Sequence, residues 1–149
     1  SPTWGTATCR ASDGARSLWP AAAGIGSAVP CRDDYPNGMD ARVKVGPFSL
    51  VGASAAEVTF RFWLRSEKDW DWFQWLASAD DQTYHGYQFS GDSGGWRQVT
   101  FDLSQVPTIG DLRGKPKVWF ELRMISDGSV GGLGPFVDEV TIRKRATGP

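Results

Sequence analysis

Residues 55–65 read AAEVTFRFWLR, and their alternation decides the fold. Val58, Phe60, Phe62 and Leu64 fall on one side of an extended chain, and Thr59, Arg61, Trp63 and Arg65 on the other. That period of two is what a half-buried strand requires. Residues 117–126, KVWFELRMIS, repeat the scheme, with Val118, Phe120, Leu122 and Met124 inward and Trp119, Glu121 and Arg123 outward. Further strands are predicted in ATCRAS (7–12), DARVKVGPFSL (40–50), WDWFQWLAS (70–78), TYHGYQFS (83–90), WRQVTFDLS (96–104) and PFVDEVTIRKR (135–145). Each is bounded by Gly, Pro, Asp or Ser. No window carries a sustained helical stripe, although SQVPTIGDLRG (104–114) could hold a helical turn in a connection. Strands at this spacing predict an all-β protein, an antiparallel β-sandwich laid out as a jelly roll.

A chain of 149 residues suits one domain, long enough to bury roughly 70% of the surface its unfolded form exposes. We read residues 1–145 as that single sandwich and 146–149 as a tail or linker remnant. Sixteen basic residues against seventeen acidic ones leave a net charge of −1, so no long-range field draws nucleic acid or anionic lipid and a polyanion partner is not expected. No apolar run is long enough for membrane insertion as a helix, and SPTWGTATCR at the start lacks the pattern of a signal peptide, so an exported chain already freed of its signal is expected. Cys9 and Cys31 are too few to cage a metal. A disulfide between them would be worth about 3 kcal/mol in the chain-entropy model and would place the protein outside the cell, in a secreted setting.

Catalysis is tested by inventory. The single histidine, His85, allows neither an HExxH site nor a three-histidine site, and no nucleophile-elbow signature accompanies it. Asp69 with Asp71, and Asp80 with Asp81, stand too close in sequence to span a glycosidase cleft, and Asp80-Asp81 reads as a hairpin turn. A non-enzymatic chain is expected.

The stretch KDWDWFQWLASADD (68–81) raises the question of binding. Parity sets Asp71, Phe73, Trp75 and Ala77 on one face and Trp70, Trp72, Gln74 and Leu76 on the other. If this strand neighbours those of Trp63 and Trp119, three or four indoles share a surface with Arg61, Gln74, Glu121 and Arg123. Indoles stack on pyranose rings while such polar groups bond the hydroxyls, so Trp63, Trp72 and Trp119 would serve a carbohydrate-binding module. The same surface could dock another domain, or simply stiffen the sheet beneath covering arginines.

The order of DGARSLWPA (13–21), DYPNGMDARVKVGPFSL (34–50), FRFWLRSEKDWDWFQWLAS (60–78), HGYQFSGDSGGWRQVTFDLS (85–104) and VWFELRMISDGSVGGLGPFVDEVTI (118–142) resembles the jelly-roll domains appended to secreted bacterial peptidases. The nearest are the MAM-like domains of immune-inhibitor-A-type metalloproteases and of subtilisin-like proteases. The resemblance spans nearly the whole chain. It is most specific at Ser90-Gly91 to Gly95-Trp96, at Asp102-Leu103-Ser104, at Ser126-Asp127-Gly128-Ser129 and at Val137-Asp138-Glu139-Val140. Glu139, where the pattern has a second Asp, and the added Gly128 depart from it. What the resemblance implies is an accessory module fused to a catalytic or surface-displayed region, with no active site of its own; a neighbouring domain of the same polypeptide or an extracellular protein is the expected partner, and a glycan the alternative if the tryptophan surface binds. It also implies a structural calcium between the first strands and the closing strand, with Asp138 as main ligand and Asp13 and Asp40 beside it. Hard oxygen donors of this kind suit calcium.

Overall fold

The computed structural model describes residues 2–146. Nine strands form it: β1 (Pro2–Ala7), β2 (Ser17–Gly24), β3 (Asp40–Phe48), β4 (Ala53–Arg65), β5 (Trp72–Ser78), β6 (His85–Phe89), β7 (Asp92–Asp102), β8 (Val118–Ile125) and β9 (Phe136–Ala146). They make a five-stranded sheet in the order β1-β2-β9-β4-β7 and a four-stranded sheet in the order β3-β8-β5-β6. All pairings are antiparallel. From β2 onward, β2-β9-β4-β7 against β3-β8-β5-β6 is the jelly-roll order, and β1 is an added edge. Strand β9 runs through Ala146, which pairs with Ala53, and residues 147–149 of the expected tail lie outside the described residues. No helix is long and apolar enough to cross a membrane among the described residues.

The core lies between the sheets, filled as the alternation requires. Val58, Phe60, Phe62 and Leu64 of β4 are buried, as are Val118, Phe120, Leu122 and Met124 of β8 and Phe73, Trp75 and Ala77 of β5. Phe60 is the hub, its ring centroid 6.1 Å from that of Phe73, 5.7 Å from Trp75 and 6.2 Å from Phe120. Residues 104–114 hold turns and an isolated bridge, Val106 with Gly110, in place of a helical turn.

The N-terminal third differs from expectation. ATCRAS is not a strand: β1 ends at Ala7, and Thr8–Ser12 turn away across the five-stranded sheet. Two tethers explain this. Cys9 is bonded to Cys31, and the backbone amides of Ser12 and Asp13 donate to the Asp138 carboxylate at 2.8 and 3.0 Å. Strand β2, SLWPAAAG, lacks alternation in sequence and so gave no strand signal. It is nevertheless built around Trp19, which is fully buried and donates its indole N–H to the Leu133 carbonyl at 2.8 Å. Pro20 is tolerated because it falls beside the irregularity where the β1–β2 register slips between Thr3 and Gly5.

Candidate functional site

Register decides which outward side chains meet. On the outer face of the four-stranded sheet, Arg42 of β3 pairs with Arg123 of β8, Arg123 with Gln74 of β5, and Gln74 with Gln88 of β6. The row beside it is Lys44, Glu121, Leu76 and Gly86. With strands about 4.8 Å apart, each row crosses four strands in about 14 Å. Trp72 opposite Ile125 closes one end of this grid, and Trp119 opposite Ser78 closes the other.

A groove runs over the grid. It comprises a depression of about 390 Å³ above Arg42, Gln74, Gly86, Glu121 and Arg123, and an adjoining one of about 300 Å³ toward Lys44 and Asp81. The β5–β6 loop walls it with Gln82 and Tyr84. That loop is stiff. Asp80 accepts the amides of Gln82 and Thr83 at 2.9 and 2.8 Å, the turn that the paired aspartates predicted, while Asp81 adopts φ 59°. Gly86 keeps the floor low by necessity, because a Cβ there would stand 2.0 Å from the Trp75 carbonyl oxygen.

The groove's charges are fixed by one another. Asp40 receives Arg123 through Nε and Nη2 at 2.8 and 2.9 Å, and Arg42 through Nε and Nη2 at 3.3 and 3.2 Å. Those bonds, Arg123 first, outweigh partial burial and hold the Asp40 carboxyl far below the usual carboxylate range. Lys44 pairs with Asp81 at 2.8 Å, and the Tyr84 hydroxyl donates to the same carboxylate. Burial, then Asp81, raises the Tyr84 hydroxyl well above its ordinary pKa. Glu121 points outward by parity yet is only 4% exposed. Burial raises its pKa, and Arg42 and Arg123 partly offset that rise.

The expected tryptophan surface does not assemble. Trp63 and Arg61 belong to β4 in the five-stranded sheet, whereas Trp72 and Trp119 lie on the other sheet, so they face opposite sides of the sandwich. Trp72 and Trp119 are themselves about 20 Å apart along the strands. Trp63 is covered instead: the Arg10 guanidinium lies 3.7 Å from its ring centroid and that of Arg65 lies 5.0 Å away. Arg61 donates to the Ser12 hydroxyl at 3.0 Å. Trp70 precedes β5 and is 66% exposed. Gln74, Glu121 and Arg123 do meet, in the groove. Sequence reasoning missed Arg42, Lys44, Gln82 and Tyr84. Parity along DARVKVG would have set Arg42 and Lys44 outward, but nothing in it names β8 as their neighbour.

The calcium ligands also separate. Asp138, whose carboxylate accepts the amides of Ser12, Asp13 and Glu139, lies in β9 of the five-stranded sheet, whereas Asp40, held by two arginines, lies in β3 of the opposite sheet. Asp138, Asp13 and Asp40 therefore do not form a donor set. Among the described residues, the carboxylates that converge are Glu67, Asp71 and Asp127, one oxygen of each within 4.8 Å of the others. Asp71 is fully buried, accepting the Tyr35 hydroxyl at 2.5 Å and the Asp127 amide at 2.9 Å. Burial, then the nearby Asp127, raises the Glu67 pKa.

Another depression, of about 470 Å³, lies on the five-stranded sheet above Glu57 and Asp102. Two of its cations are committed to backbone carbonyls, Arg113 to Ser54 and Lys144 to Ser49. Compared with known proteins, the chain matches no family model and no curated protein.

Proposed function

We propose that the chain is a non-catalytic accessory module of an exported multidomain protein, and that it binds a glycan in the groove of the four-stranded sheet. The observation that supports this is the row Arg42, Arg123, Gln74 and Gln88, a line of donors and acceptors stepping at a strand spacing comparable with one sugar ring. Gln74 donates to Gln88 at 3.0 Å and the arginines are clamped by Asp40, so these groups are ordered before any ligand arrives. The Cys9–Cys31 disulfide suits an oxidising compartment, and the resemblance to peptidase-associated jelly rolls supports a secreted hydrolase, a peptidase, as the parent.

A polysaccharide pull-down and glycan array tests this reading. Wild type should bind at least one glycan, Gln74→Ala should weaken that binding about tenfold, and Trp63→Ala should leave it unchanged, since Trp63 faces the other side. Equal loss in both variants, or no binding by wild type, overturns it. The second reading is docking onto a neighbouring domain. It is favoured by Trp70 and Val130, which are 66% and 62% exposed, in two loops tied by the bond from the Asp127 amide to Asp71.

Calcium belongs to this proposal as a structural ion only, with Glu67, Asp71 and Asp127 as the carboxylates to hold it. EDTA should lower the melting temperature and excess calcium restore it, and Asp127→Asn should flatten both responses. An unchanged melt removes calcium from the reading.

A further inference from the structure

We propose that the ligand of this groove is an acidic glycan, and that its anionic oxygens are received by the free edges of Arg42 and Arg123. The inference rests on the glycan reading above and narrows it to a class.

One carboxylate, Asp40, serves two guanidiniums, so that cluster keeps one uncompensated positive charge. Each arginine spends Nε and Nη2 on Asp40. Neither Nη1 has an acceptor among the described residues, nor is either a buried orphan. The side chains are 50% and 25% exposed, so these donors face the groove rather than the core. A guanidinium held flat by one carboxylate with its remaining N–H groups open is prepared for a second oxyanion, which it binds with directional, charge-assisted bonds.

The other charged groups of the groove are either paired or buried. Lys44 is matched by Asp81. Glu121, the other acid besides Asp81 that lines the groove, is only 4% exposed, so it lies beneath the surface that an incoming anion would meet. A carboxylate and a sulfate ester share the oxyanion chemistry that this pair would recognise.

The groove therefore makes a selective prediction despite the chain's net charge of −1, which supplies no general attraction for polyanions. Binding would be measured at fixed ionic strength for polygalacturonate, alginate and a glucuronate-containing glycan, each beside its carboxyl-reduced neutral counterpart, and for a sulfated glycan. At least one acidic polymer should bind about tenfold or more tightly than its neutral counterpart, and Arg123→Gln should abolish that preference. Uronates alone or the sulfated glycan alone would identify the source of the oxyanion. Equal binding of acidic and neutral forms overturns the acidic class while leaving the glycan reading intact, and no binding by any polymer overturns both. Arg143→Gln, on the opposite sheet, is the control. A preference lost there and kept in a cooperatively melting Arg123→Gln would show that the anion sits elsewhere and overturn the proposal.

Discussion

Phe60→Ala should destabilise the sandwich by about 4 kcal/mol, the loss expected when a buried ring is removed and its surroundings collapse only in part. Phe60 is 1% exposed and touches rings from both sheets: Phe62 beside it on β4, Phe73 and Trp75 on β5, and Phe120 on β8. Rings are stiff, and those around the void are anchored on two sheets, so they cannot slide in to fill it. Urea unfolding should show a lower midpoint at unchanged slope, with the melting temperature down by roughly 10 °C. A loss under about 1.5 kcal/mol would mean that the sheets close over the gap, and would remove Phe60 as the hub.

Asp71→Ala should cost about 3 kcal/mol, although it deletes no apolar contact of note. Its carboxylate is the sole acceptor in view for the buried Tyr35 hydroxyl and also takes the Asp127 amide. Both donors would be stranded. Burial, then Asp71, already holds the Tyr35 hydroxyl far above its ordinary pKa, so that proton stays in place over the whole working range. Asp71→Asn, which keeps one acceptor oxygen, should lose clearly less than Asp71→Ala. Equal losses would assign the effect to the charge rather than to the stranded donors.

Both residues show what could be read in advance. Alternation put Phe60 in the core, and it put Asp71 on the same face as Phe73 and Trp75, which is where an acid must find partners. It could not supply them, because Tyr35 and Asp127 are brought to Asp71 by two other loops. The jelly roll was legible because most of its strands are half-buried and therefore alternate. Strand β2 was not, because Pro20 and three alanines carry little contrast between its faces.

The groove was half legible for a related reason. Parity says which side of its own sheet a residue faces; Gln74, Glu121 and Arg123 line one depression, and Trp72 and Trp119 share their sheet. Parity does not say which sheet a strand joins. Trp63 has the same outward sign as Trp119 yet lies on the opposite side, with Arg10 and Arg65 over its ring. Arg10 comes from the connection that Cys9 tethers, and only the fold brings it there.

The strand order also bears on how the chain assembles. Strand β9 lies between β2 and β4, so the five-stranded sheet cannot close until β9 is available. Nearly every pairing except β1 with β2 and β5 with β6 joins segments distant in sequence, an arrangement that makes folding slow. Until β9 is in place, the five-stranded sheet exists only as two separate ribbons, β1-β2 and β4-β7, and a single late segment welds them.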